Sequence, residues 1–156
     1  MRISTGAIGI LLAASALSGC TAHYQDASNE PQTKPLVGLS CTTRVELIEH
    51  SVVAYGETKR DGISFFSLTP RPGFSGPEVL GRRLIPAGHQ IRVLSVRKCI
   101  NCLTSDAGRL DLEVQIDDVE PSLPTYLGGF FADVEVLLMG KDAYAFNPQI
   151  CELTTG

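Results

Sequence analysis

Tryptophan is absent from this chain of 156 residues, histidine occurs three times, and aromatic residues make up 6%. So few imidazoles speak against a multi-histidine metal centre. Charge is sparse, at 19% of residues, and 13 Lys+Arg against 17 Asp+Glu leave a net charge of -4. A chain with that balance lacks the electrostatic footprint of a nucleic-acid binder. No phosphate-binding glycine loop, HExxH zinc motif or GxSxG nucleophile turn occurs. Long helical periodicity and internal repeats are missing too. What is present is 44% apolar residues, enough for a core, in a length that suits one domain. Five cysteines are many for so short a chain and point to an oxidising compartment or a metal.

The first twenty residues read as an address. Met1-Arg2 is a short basic start, and Ile8 to Leu17 is an apolar run. That run is far below the roughly 20 residues a membrane-spanning helix needs, and it matches the apolar region of a secretory signal peptide. It ends in Leu17-Ser18-Gly19-Cys20, which resembles the lipobox of bacterial lipoproteins: Leu, two small residues, then the cysteine that receives the lipid. The resemblance covers residues 1–20 only. It implies cleavage before Cys20, a diacylglyceryl thioether on its sulfur, an acylated amino terminus, no cofactor besides this covalent lipid, and a mature protein hanging from a bilayer. Thr21, where Asp would favour inner-membrane retention, implies the outer membrane facing the periplasm.

Residues 20–37 read as the lipidated cysteine and a flexible polar tether, with Pro31 and Pro35 and little to bury. The single domain is then 38–156, and its patterning is all-β: a small barrel or sandwich of six to eight antiparallel strands. Leu110, Leu112, Val114 and Ile116 alternate with Asp111, Glu113, Gln115 and Asp117, predicting one buried and one wet face. Val134, Val136 and Leu138 alternate similarly, and residues 90–98 carry apolar residues on both faces, as an inner strand would. Further strands are expected at 44–53, 63–68, 79–85 and 149–153, with a hairpin turn at Arg60-Asp61-Gly62. The stretch 84–96 (LIPAGHQIRVLSV) resembles the Pro/Gly turn and following strand of SH3-like barrels.

Beyond Cys20 stand Cys41, Cys99, Cys102 and Cys151. In an exported chain an even set of thiols suggests two disulfides, with three connectivities open. A turn can close Cys99–Cys102 locally, which would leave Cys41–Cys151. The alternatives are a four-cysteine zinc site and a redox-active CxxC. The residues after Cys102 (LTSDAGRLDL) do not read as the helix that a thioredoxin-like site requires.

Two surfaces stand out. Residues 71–98 carry a balance of +5 and residues 103–156 one of -8, so Arg92 and Arg97 are expected to face acids on the next strand. In 121–131 (PSLPTYLGGFF), Leu123, Tyr126, Leu127, Phe130 and Phe131 cluster among Pro and Gly. As a loop it would offer Tyr126, Leu127, Phe130 and Phe131 as an apolar partner-binding patch; buried, it would plug one end of the core. His23, His50 and His89 have no companion nucleophile in the sequence, and Asp117, Asp118 and Glu120 form a solvated corner or a weak cation site.

Together these features point to a non-enzymatic envelope lipoprotein whose β domain binds a protein or cell-wall partner, with no cofactor and no metal. An immunity lipoprotein against a delivered toxin and an envelope thiol-disulfide protein are the alternatives.

Overall fold

The computed structural model describes residues 23–53, 62–100, 109–128, 138–139 and 144–154. These form β1 (Tyr24–Asp26), β2 (Ser40–Thr43), β3 (Leu47–Val52), β4 (Phe65–Pro70), β5 (Val79–Ile85), β6 (Gln90–Cys99), β7 (Leu110–Ile116), β8 (Thr125–Gly128), β9 (Leu138–Met139), β10 (Ala145–Phe146) and β11 (Cys151–Leu153). The chain is all-β, as its alternation implies. Nine strands make one sheet in the order β11-β2-β6-β7-β8-β4-β3-β5, with β1 also paired to β6, while β9 and β10 form a separate pair. No helix among the described residues is long and apolar enough to cross a membrane.

The sheet curls. Its two halves meet where the chain passes from β2 to β3 and from β5 to β6, and these passages run side by side. Thr43 N–H donates to the His89 carbonyl at 2.9 Å, and Gly88 N–H to the Thr43 carbonyl at 2.8 Å. Gly88 turns there with φ 99°, a conformation that costs glycine nothing. Cys41 and Cys151 from one end of the strand order and Leu47 and Ile85 from the other share one core with Val93, Val96, Leu112, Val114 and Leu127. Among the described residues the terminal strands β11 and β5 do not pair, so the curl is not closed.

Strand β6 is the inner strand expected, flanked by β2 and β7, but its apolar residues are unevenly shared between its faces. Val93 opposes Val114 and Val96 opposes Leu112, so two residues between them on β6, Leu94 and Ser95, face one on β7, Glu113. The extra residue is a bulge that reverses the inside-outside parity. Ile91, Val93 and Val96 therefore all enter the core, and Leu94 is put outside.

Three expectations are corrected. Much of the expected tether is folded: β1 pairs with β6, Lys34–Leu36 forms a 3-10 turn, and Ala27, Thr33 and Leu36 are buried. Its few apolar groups are too scattered to show a period, yet Leu36 joins the core. Not every strand is antiparallel, because β4 and β8 pair in parallel, Phe66 with Thr125 and Leu68 with Leu127. The 121–131 segment is not an adaptable loop in its described part, since Thr125–Gly128 is a strand held between β7 and β4. The turn residues Arg60 and Asp61, and the expected strand before Leu138, lie outside the described residues.

Candidate functional site

The densest polar cluster among the described residues gathers where β1 pairs along β6. Register places them: Tyr24 pairs with Cys99, Arg97 with Asp111, and Glu113 with Tyr126. Arg97 donates from Nε (3.1 Å) and Nη2 (3.0 Å) to Asp111 Oδ2, while Arg109 Nε reaches Oδ1 at 3.3 Å. Asp111 is only 1% exposed, so the face expected to be wet is covered at this point. Paired charges explain how a carboxylate is tolerated there.

Aromatic rings complete the cluster. The Arg97 guanidinium lies between two tyrosines, 4.1 Å from the ring centre of Tyr24 and 3.5 Å from that of Tyr126. A planar cation over a ring face is attracted by the ring's quadrupole. Arg109 Nη2 donates to the Tyr24 hydroxyl at 2.6 Å, and Phe65 meets Tyr126 edge-on at 5.8 Å. Burial, then the Asp111 charge, holds the Tyr24 phenol above its ordinary pKa; burial does the same for Tyr126. Both hydroxyls are therefore protonated near neutrality, and both Asp111 oxygens are occupied. The cluster joins β1 to β6, β7 and β8.

The remaining expected site residues are dispersed. Cys41 and Cys151 are bonded, with Cα atoms 5.5 Å apart and a sequence separation of 110. Cys99 is also disulfide-bonded and fully buried, whereas Cys20 and Cys102 lie outside the described residues. Leu127 is core and Tyr126 stacks on Arg97, which corrects the expected apolar patch; Phe130 and Phe131 lie outside the described residues. Arg92 stands opposite Gln115, not an acid, and among the described residues only Arg97 of the two meets a carboxylate across the strands. Asp117 Oδ1 accepts from Gln90 N–H at 2.9 Å and Oδ2 bonds His89 Nδ1, so this acid caps a turn. The His89 hydrogen bond, the largest cause, holds the Asp117 carboxyl below its ordinary pKa.

His50 is fully buried in β3, and no pattern in the sequence marks it. Its Nε2 shares a hydrogen bond of 3.1 Å with Thr69 Oγ1, its ring lies 4.0 Å from that of Phe74, and its Nδ1 has no partner among the described residues. Gly73, at φ 73°, passes so close that a Cβ there would sit 2.8 Å from Nε2. Burial, then the Arg82 charge, lowers the His50 pKa. Among the described residues no three His, Cys, Asp or Glu side chains are grouped to hold a metal ion. Comparison with known proteins supplies no relative: no protein-family model, no curated protein and no solved structure matches this chain.

Proposed function

We propose that this is a lipid-anchored protein of the cell envelope whose β domain is a binding module for a protein or cell-wall partner, not a catalyst. The observation that carries the reading is the Leu17-Ser18-Gly19-Cys20 end of the apolar leader, placed just ahead of a disulfide-stapled domain. A diacylglyceryl group on Cys20, with an acylated amino terminus, supplies two or more chains, and two chains are what stable anchoring takes. The Cys41–Cys151 bond fits an oxidising compartment on the far side of the membrane.

The redox alternative loses ground on the setting of Cys99. It ends strand β6 and is fully buried, so its sulfur is not open to the attack on a substrate disulfide that a catalytic thiol must make. The test of the anchor is metabolic labelling with a fatty acid. Label is expected on the wild-type protein and not on Cys20→Ser, which should also keep its leader. Label retained on Cys20→Ser would overturn the reading.

A further inference from the structure

We infer that the end of the domain carrying His23 and Ile100 rests directly on the lipid surface that holds the anchor. The inference depends on the lipidated Cys20 proposed above and adds an orientation to it. Strand β1 begins at Tyr24, so only residues 21–23 separate it from Cys20. At most ~14 Å of extended chain can link the two Cα atoms. A tether of fifteen solvated residues would let the domain roam; three residues cannot.

The docking of β1 is firm. Tyr24, Gln25 and Asp26 pair with Cys99, Lys98 and Arg97, and Ile100 N–H donates to the His23 carbonyl at 2.9 Å. The Tyr24 ring is held by Arg97 and its hydroxyl by Arg109. The lipid-proximal end of the sheet is thus the end of β6 at Cys99. Ile100 follows it, half exposed, a β-branched apolar side chain at the level where acyl chains begin. The opposite end lies a strand away. Ile91 pairs with Ile116, and Val119, the most exposed large apolar residue among those described, bridges back to Ile116. Gln90 to Cys99 spans about 30 Å at ~3.3 Å per residue, so Val119 stands well clear of the bilayer.

The absence of tryptophan makes the test clean. Full-length protein carrying Ile100→Trp or Val119→Trp would be lipidated in cells, purified, and placed in phosphatidylethanolamine–phosphatidylglycerol vesicles containing phospholipid brominated high in its acyl chains. The indole of Ile100→Trp is expected to lose most of its emission to bromine, and that of Val119→Trp to keep it. His23→Trp is a second reporter at the same end, should Ile100→Trp fail to fold. A flexible insert of about 15 Gly/Ser residues between Ala22 and His23, with an r.m.s. reach of ~20 Å, should abolish the quenching while leaving the lipid in place. Lipidated protein with no quenching at Ile100→Trp and His23→Trp, or equal quenching at both ends, overturns the orientation and leaves the anchor standing. Quenching that survives the insert overturns tether length as its cause. Protein without lipid on Cys20 overturns the anchor, and the orientation with it.

Discussion

The two ends of the strand order are held by different chemistry. At one end β11 lies on β2, and the Cys41–Cys151 bond joins them across 110 residues of sequence. At the other, β3 sits between β4 and β5, and its polar ties are a buried imidazole and a surface ion pair. A covalent staple acts chiefly by restricting the unfolded chain and answers neither to protons nor to salt. The β3–β5 end answers to both. The same sheet is thus constrained at one end and tunable at the other.

Removing the staple should have the largest effect. Replacing both Cys41 and Cys151 by Ala should cost about 4–5 kcal/mol in the chain-entropy picture of a loop this long. That corresponds to a fall in Tm on the order of 10 °C, readable by calorimetry. Cys102→Ala, which removes the partner expected for Cys99 in a short loop, should cost much less. An equal loss in the two variants would show that the length of the closed loop is not what makes the staple effective.

Next comes Leu36→Ala, which tests whether the segment before β2 belongs to the domain. Leu36 is fully buried, so the change should remove about 2–5 kcal/mol, read from the urea midpoint. A negligible loss would return this segment to the solvent as a tether.

What could be read without coordinates follows from where the signal lies. Leu110, Leu112 and Val114 alternate strictly, and β7 is found at Leu110–Ile116. Strand β2 reads Ser-Cys-Thr-Thr and β1 reads Tyr-Gln-Asp, neither with any apolar period, so both are set by partners far along the chain. The bulge at Leu94 is invisible for a related reason: one inserted residue changes parity without changing composition. The cluster around Asp111 was half visible, since opposite charges on neighbouring strands anticipated Arg97–Asp111. Its burial under Tyr24 was not, because nothing local tells a polar segment to fold back. His50 had no signal at all: its surroundings come from Thr69, Phe74 and Gly73, well after it in sequence.

The tunable end should show itself first in acid. Burial and the Arg82 charge put the folded-state pKa of His50 below its ordinary 6.5. The unfolded chain therefore takes up this proton first. The contribution is complete above about pH 6.5, declines as pH falls from there toward the folded pKa, and levels off below it, with a slope of at most ~1.4 kcal/mol per pH unit. Urea midpoints of the wild type should fall through this window. His50→Gln should lack that component, while the Cys41/Cys151 double variant should keep it. An identical pH profile for His50→Gln would mean that the imidazole is not buried as described.

The smallest expected effect is at the ion pair. Arg83 meets Glu49 through two contacts, Nε to Oε1 at 3.0 Å and Nη2 to Oε2 at 2.8 Å. The two-point geometry favours the pair, and the Glu49 side chain is only 10% exposed. Arg83, however, is 67% exposed, so water screens much of the attraction. Exposed pairs contribute about 0.2–1 kcal/mol, and Arg83→Ala should fall in that range. A double-mutant cycle with Glu49→Gln separates the coupling from the packing of the arginine stem. The coupling should shrink between 0.05 and 1 M NaCl, as the screening length contracts to about 3 Å. Coupling that persists at high salt would show the carboxylate to be shielded from ions, and this end of the sheet would then be less open to its surroundings than the exposure of Arg83 suggests.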